Sequence, residues 1–268
     1  MNEPAVDLQL DRAHSARMYD YYLGGTTNFP ADREAVSRVV TAFPQALIAA
    51  RANRGFMRRA TAYLAEHGLR QFLDVGTGIP TRPNLHEVAQ DLVADARVVY
   101  VDNDPIVLAH AQALLISSPG GRTAYLEADL ARPEEILKSS VLHDTLDLSQ
   151  PVALSLNAVL HFIPDDAEAQ RIVDTFTDAL VPGSALAISH GTADFTETLE
   201  NVAGVYRSVG TAVGIRDRAR FSRFFERWEL VEPGVTLSHR WRPDAATAAS
   251  GVTDLESSCY VAVARKLG

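Results

Sequence analysis

A mostly parallel α/β sheet with helices on both faces is the fold this sequence predicts, and three observations predict it. From Gly68 onward, short apolar runs alternate with amphipathic stretches, the pattern of strands joined by helical crossovers. Polar residues, mostly acidic, stand at or just beside the ends of those runs, where an open sheet receives its ligands. The first run, Phe72-Leu73-Asp74-Val75, enters Gly76-Thr77-Gly78, a strand-to-helix turn whose glycines let backbone approach a ligand closely.

Taken in order, the region from about Asp11 to Glu66 is helical. A segment from Ala13 to Leu23 ends at Gly24-Gly25, one from Ala31 to Phe43 stops before Pro44, and one from Gln45 to Glu66 closes at His67-Gly68. Leu47, Ile48, Phe56, Met57, Ala60 and Leu64 recur in the third at helical spacing. Strands follow at Gln71 to Val75, Arg97 to Asp102, Thr123 to Glu127, Pro151 to Asn157 and Ser184 to His190. Helices fall between them near Leu85 to Leu92, Pro105 to Ile116, Pro133 to Ser139 and Asp166 to Leu180, with Pro105 suited to a helix start. An Arg-rich helical stretch from Arg216 to Arg227 precedes a strand at Glu229 to Glu232 and a last one at Ser258 to Ala264, a pair able to close as a hairpin. The division expected is a helical cap over residues 1–68, part of one compact unit with a ligand-binding domain over residues 69–268.

With 268 residues the chain can bury a sizeable core. Its formal charge of -9 disfavours a broad grip on nucleic acid, which depends on basic residues releasing counterions from phosphates. The single Cys259 excludes an intramolecular disulfide, and no His/Cys/Asp spacing suggests a metal site. Met1 to Asp11 lacks the basic start and apolar run of a signal peptide, and no later run is long enough to span a bilayer. The expectation is a cytoplasmic protein with no membrane partner, whose oligomeric state the sequence leaves open.

The carboxylate Asp74, two residues before the glycine turn, narrows the ligand. It repels a pyrophosphate but suits a ligand with ammonium and sulfonium groups and no phosphate, as in S-adenosylmethionine. Asp102 ends the run Val98-Val99-Tyr100-Val101, where a carboxylate can accept both hydroxyls of a ribose. It could instead cap the helix at Pro105, a role that Asp104 fits better. Asp129 lies just beyond the next strand's end at Glu127, and Asn157 ends the one after, with His161 one turn beyond it.

Leu73-Asp74-Val75-Gly76-Thr77-Gly78, Tyr100-Val101-Asp102-Asn103-Asp104-Pro105, Glu127-Ala128-Asp129-Leu130 and Val159-Leu160-His161-Phe162-Ile163-Pro164-Asp165 together resemble the class I S-adenosylmethionine-dependent methyltransferases. More closely, Arg17-Met18-Tyr19-Asp20-Tyr21-Tyr22-Leu23-Gly24-Gly25 and Ala52-Asn53-Arg54 look like the actinobacterial methyltransferase family formerly described as a domain of unknown function, a likeness spanning nearly the whole chain. The resemblance implies a Rossmann-like fold with a seven-stranded, mostly parallel sheet and a helical N-terminal cap, and S-adenosyl-L-methionine as cofactor. It further implies that Asp74 and Gly76, Thr77 and Gly78 hold the methionine portion, Asp102 the ribose and Asp129 the adenine amino group. Asn103 and Leu130 would flank the base, and Asn157 and Ala158 would line the cofactor. The chain departs from the pattern after the turn, where Ile79-Pro80-Thr81 stands in place of a third glycine.

Other residues admit two readings. Tyr19, Tyr22 and Asn28 could form a lid, the rings facing a sulfonium and the amide donating to a carboxylate; aromatics at one-turn spacing also pack helices together. Arg54 could pair with the methionine carboxylate, or belong to a solvated face with Arg51, Arg58 and Arg59. His161 is the candidate general base, or else orients its loop, since methyl transfer can proceed on proximity alone; His190 is a second candidate. Arg216, Arg218, Arg220, Arg223 and Arg227 read as a solvated face, with Phe221, Phe224 and Phe225 turned to the sheet. The function expected is methyl transfer to a small-molecule acceptor. The alternatives are a non-catalytic S-adenosylmethionine sensor and an NAD-dependent oxidoreductase, which would need a phosphate-tolerant turn.

Overall fold

The structure, a computed structural model, describes residues 9–114 and 117–268. Residues 1–8 of the N-terminal reading and the last two residues of the helix expected over 105–116 lie outside the described residues. Three helices come first: α1 (Ser15–Tyr22), α2 (Pro30–Ala42) and α3 (Ala46–Glu66). The sheet and its crossovers follow as β1 (Gln71–Val75), α4 (Leu85–Leu92), β2 (Arg97–Asp102), α5 (Pro105–Leu114), β3 (Arg122–Glu127), α6 (Pro133–Lys138), α7 (Ser140–Thr145), β4 (Ala153–Asn157), α8 (Asp166–Asp178) and β5 (Ala185–Gly191). The chain ends with α9 (Thr198–Ser208), α10 (Arg218–Ser222), β6 (Glu229–Leu230), β7 (Thr236–Leu237), α11 (Ala245–Ala249), α12 (Asp254–Ser257) and β8 (Cys259–Arg265).

Local chemistry sets several of these boundaries. Pro30 opens α2, and Asp32 accepts the Phe29 amide at 2.8 Å. Asn84 and Glu87 cap α4 reciprocally. Asp104 accepts the Ile106 amide at 3.0 Å and so caps α5, as its position predicts. Gly68, at φ +94°, lets the chain leave α3 for β1.

The sheet runs β3-β2-β1-β4-β5-β8-β6, with β7 also paired to β8. The first five strands are parallel, and β8 lies antiparallel to β5, β6 and β7. Eight strands replace the seven expected: the strand foreseen at Glu229 to Glu232 is the two-residue β6, and β7, at Thr236–Leu237, is an additional one, the two pairing with different stretches of β8. The hairpin-like closure is present in that pairing, with a long connection through α11 and α12.

Side-chain alternation builds a core on each face. Leu73, Val75, Val99 and Leu154 join Ile172 and Phe176 of α8 on one side. Phe72, Val98 and Ala153 join Phe56 and Leu64 of α3 and Leu85 of α4 on the other. A separate cluster holds the cap together: Met18 and Tyr22 of α1, Val36 and Val39 of α2, and Ala46 and Ala50 of α3 meet Leu199 of α9.

The C-terminal arginine stretch is a correction to its sequence reading. Its helix is confined to α10 and a 3-10 turn over Arg223–Phe225, and Phe221, Phe224 and Phe225 are buried as expected. Arg216, however, is 1 % exposed and is part of the interior. Cys259 is a buried free thiol at the start of β8. Among the described residues, no helix is long and apolar enough to cross a membrane.

Candidate active site

Strand order reverses between β1 and β4: from β1 the chain builds outward through β2 and β3, then returns to place β4 and β5 on the other side. Neighbouring crossovers therefore pass on opposite faces and leave a crevice beyond the carboxyl ends of β1 and β4. A cavity of about 620 Å³ occupies that place, within the size range of small-molecule sites. Tyr19, Tyr22, Arg54, Asp74, Gly76, Thr77, Gly78, Asp102, Asn103, Asp129, Leu130, Asn157, Ala158 and His161 all line it.

Asn28 does not. Its amide nitrogen donates to Asp20 at 2.9 Å and to the Gly25 carbonyl at 3.0 Å, while its side-chain oxygen accepts from Arg33. These bonds within the cap use the groups a lid would need.

The glycine turn is built around Asp102. One carboxylate oxygen accepts the Gly78 amide at 2.7 Å and the other accepts the Asp104 amide at 3.0 Å. Each oxygen keeps a further lone pair for a ligand hydroxyl. Gly76 and Gly78 both have left-handed backbone, φ +76° and +67°. A Cβ on Gly76 would meet Val159 at 2.4 Å, whereas one on Gly78 would meet nothing within 4 Å. The first glycine is needed by the protein's own packing, and the second keeps the cavity wall clear.

Burial raises the Asp74 pKa to about 6, against the lowering influence of the Thr77 and Ser155 hydroxyls and of Arg54. Burial likewise lifts Asp102 above the ordinary carboxylate range, despite the amides of Gly78 and Asp104. Two buried carboxylates in one cavity wall favour cationic and hydroxyl groups over phosphate, so the donor set fits S-adenosylmethionine. Asp129 projects beside them, one oxygen accepting the Ala131 amide at 2.9 Å.

Asp104 ties this edge to the cap. Fully buried, it receives Arg17 Nε at 3.1 Å and lies 3.0 Å from His14 Nδ1. Burial would raise its pKa, but His14 and Arg17 more than offset this and hold the carboxyl below its usual range.

Beyond β4, Ala158 adopts left-handed backbone at φ +53°, its amide held by the Ser189 hydroxyl at 2.8 Å. A non-glycine residue held in that region is local strain of the kind that collects at functional sites. Asn157 donates to Ser155 at 2.6 Å, and its buried Oδ1 has no partner. His161 follows on a 3-10 turn, with Nδ1 fully buried and unpartnered.

Arg216 braces that turn by donating to the carbonyls of Leu160 and Ile163, to Asp166, and to His190 Nε2 at 2.9 Å. Burial first and the Arg216 charge second lower the His161 pKa to about 4. His161 is therefore a neutral imidazole near pH 7, available to accept a hydrogen bond and weak at retaining a proton. His190 is shifted well below its ordinary value by burial, by His161 and by Arg216. With Nε2 occupied by the guanidinium and Nδ1 on the Gly191 carbonyl, it has a structural part.

The two tyrosines pack and face the cavity at once. Tyr19 and Tyr22 meet edge-on at 6.4 Å. The Tyr19 hydroxyl donates to the Ala50 carbonyl and accepts from Asn53, and the Tyr22 hydroxyl lies 3.2 Å from that of Tyr206. Arg54 reaches the carbonyls of Thr81 and Pro83, bracing the loop that replaces the third glycine.

Sequence reasoning missed Tyr206, which comes from α9. The repeat Leu199, Val202, Ala203, Tyr206 and Val209 at helical spacing is the signal that could have found it.

A family model described as S-adenosyl methyltransferase matches residues 1–267. A DUF574 family protein from Streptomyces avermitilis MA-4680 is 50% identical over 97% of this chain and 100% of its own, with a TM-score of 0.94. A candidate methyltransferase from Thermobifida fusca YX is 35% identical over the full length of both chains, with a TM-score of 0.89. Human N-acetylserotonin methyltransferase in complex with SAM, 16% identical, shares the fold at a TM-score of 0.50 over 96% of this chain and 63% of its own. No curated protein matches the chain.

Proposed function

The chain belongs to the S-adenosyl methyltransferase family, and we propose that it moves the methyl group of S-adenosylmethionine onto a small-molecule acceptor enclosed in the same cavity. Family membership makes it an S-adenosylmethionine-dependent enzyme and displaces the oxidoreductase alternative. The observation that carries the rest is the cavity itself: one continuous space joins the acidic strand ends to an apolar chamber under the cap.

When bound, S-adenosylmethionine supplies a methyl group on a positively charged sulfur, an electrophile that needs no further activation. In our reading the chain's own residues position it. Asp102 takes the ribose hydroxyls with the lone pairs its backbone amides leave. Asp129 accepts from the adenine amino group, with Asn103 and Leu130 at the base. Asp74 pairs with the ammonium group, and the Gly76 to Gly78 turn leaves the space that the methionine chain fills. Arg54 orders the adjoining loop and adds positive potential for the carboxylate. Asn157, Ala158 and the tyrosine rings of Tyr19 and Tyr22 enclose the sulfur, where the electron-rich ring faces favour a cation. His161 accepts a hydrogen bond from the acceptor. Residues 1–68 serve as the cap and residues 69–268 as the cofactor-binding domain. Excluding water and holding the two reactants in line supply most of the acceleration.

Calorimetry with S-adenosylhomocysteine tests the site. Micromolar binding that Asp102→Ala abolishes is the expected result, and equal affinity in wild type and variant would sink the assignment. A tritiated methyl donor with a panel of small acceptors then tests transfer. Label found only on added protein or nucleic acid would overturn the small-molecule reading.

A further inference from the structure

The chamber under the cap has a chemical character that identifies what fits it. Val39 of α2 and Phe43 just beyond it, Ala46 and Ala50 of α3, and Leu199 and Val202 of α9 wall it. Among the described residues, the Arg, Lys, Asp and Glu side chains lining the whole cavity are Arg12, Arg17, Arg54, Asp74, Asp102 and Asp129. They come from the N-terminal segment, the middle of α3 and the ends of β1 to β3; α2 and α9 contribute none. A charged acceptor there would be desolvated with nothing to pair it, a cost of several kcal/mol.

Two polar features remain. His161 touches Phe162 at 4.4 Å between ring centres, and Phe162 in turn lies 5.9 Å from Tyr206. The imidazole and the Tyr22–Tyr206 hydroxyl pair thus border one chamber. That pair has two O–H donors and one mutual hydrogen bond, which leaves one donor for a ligand oxygen.

We propose that this chamber is the acceptor subsite and that its occupant is an uncharged, mostly apolar phenol, held at its hydroxyl by His161 and at a second oxygen by the Tyr22–Tyr206 pair. The inference rests on the cofactor reading above. As the phenol oxygen forms its bond to the methyl carbon, the sulfur–methyl bond breaks and its electron pair returns to sulfur, leaving a neutral thioether. The hydroxyl proton passes to His161 Nε2, since Nδ1 is sealed in protein, and then to solvent. A phenol is singled out over an aliphatic alcohol because its proton is far more acidic, about pKa 10 for the tyrosine side chain. The lowered His161 pKa keeps the ring neutral near pH 7 and able to accept the hydroxyl's hydrogen bond, but makes it a weak base, so departure of the proton is driven by methyl transfer itself.

The test uses the full chain saturated with S-adenosylhomocysteine at pH 6.5. Calorimetry compares 2-naphthol and 7-hydroxycoumarin with 2-naphthoate and 2-naphthylmethylammonium. The neutral phenols should bind at least tenfold more tightly than either ion, and with the tritiated methyl donor they should yield labelled methyl ethers. Val202→Phe, which fills the chamber, should weaken the phenols at least tenfold while S-adenosylhomocysteine affinity stays within twofold. Tyr206→Phe should weaken 7-hydroxycoumarin, with its second oxygen, more than 2-naphthol. His161→Gln should lower kcat for ether formation at least tenfold with little change in phenol affinity. Failure of S-adenosylhomocysteine to bind would defeat the cofactor reading. Its binding alongside ions that match the phenols, or phenols that do not bind, would overturn the acceptor assignment alone.

Discussion

The two ends of the cavity are made in opposite ways. The sheet end is shorter-range: Asp74 and Asp102 lie at the ends of β1 and β2, Gly76 and Gly78 follow β1 directly, and the bond that joins turn to carboxylate spans 24 residues. The cap end is long-range, since Tyr22 meets Tyr206 across 184 residues and Leu199 packs with helices from the first fifty. One end is polar and dictated by hydrogen bonds, the other apolar and dictated by packing. The difference teaches that donor recognition and acceptor recognition can vary independently in this architecture, because different residues face the two ligands although α3 and the Asp104 contacts join their supports.

Substitutions can break that independence. The largest effect is expected for Asp102→Ala, which removes the ribose acceptor and frees two backbone amides. Charge-assisted bonds of about 1.5–3 kcal/mol each imply roughly a thousandfold loss of S-adenosylhomocysteine affinity. Phenol binding at saturating S-adenosylhomocysteine should remain within a few fold; equal losses would show the two ends to be one unit.

Gly76→Ala follows, at about 3 kcal/mol of stability in chemical denaturation. It forces left-handed backbone on an alanine and a Cβ into Val159. Gly78→Ala, with the same backbone cost and open space ahead, should lose about 1 kcal/mol of stability and proportionally more of its cofactor affinity.

Asp74 should set the pH dependence. Its folded pKa, raised to about 6 by burial, means that the empty protein loses stability as pH rises from about 4 through 6. Asp74→Asn should therefore raise the melting temperature of the empty protein at pH 7, by the equivalent of about 3 kcal/mol, while weakening S-adenosylhomocysteine. Wild-type affinity for that ligand should fall up to tenfold per pH unit below about 6, as the carboxylate protonates and loses the ammonium. Affinity for 2-naphthol at saturating S-adenosylhomocysteine should stay flat over the same range, and a parallel decline would contradict an uncharged chamber.

The smallest effect belongs to Tyr19→Phe. Loss of hydrogen bonds to the Ala50 carbonyl and Asn53 should cost about 1 kcal/mol of stability, with ring contacts kept. Cofactor affinity unchanged in Tyr19→Leu as well would return this ring to packing alone.

What the sequence makes legible divides along the same line. The apolar runs of β1 and β2, the polar strand ends and the cap of α5 at Asp104 are all local, so composition and position are enough. Asn28 looked like a ligand because Asp20 and Arg33, which use up its amide, are not marked as its partners by any spacing. Arg216 looked solvated because its partners His190, Leu160 and Asp166 lie 26, 56 and 50 residues away. Tyr206 belongs to a helix whose apolar stripe was readable, but the use of that stripe, to close a chamber with α1 and α2, depends on tertiary contact.

The contact between α1 and Asp104 carries a consequence for how the protein is made. During synthesis α1 to α3 emerge before any strand, and their docking points arrive later: Asp104 lies 87 residues after Arg17, and Tyr206 lies 184 after Tyr22. Loop closure over such distances is slow and comes after local structure has formed. The face of α2 that packs on α9 must wait, uncovered, until α9 leaves the ribosome. The acceptor chamber is then among the last spaces to close, so a chain arrested before α9 would hold most of the donor-binding strand ends and have no place for the molecule it methylates.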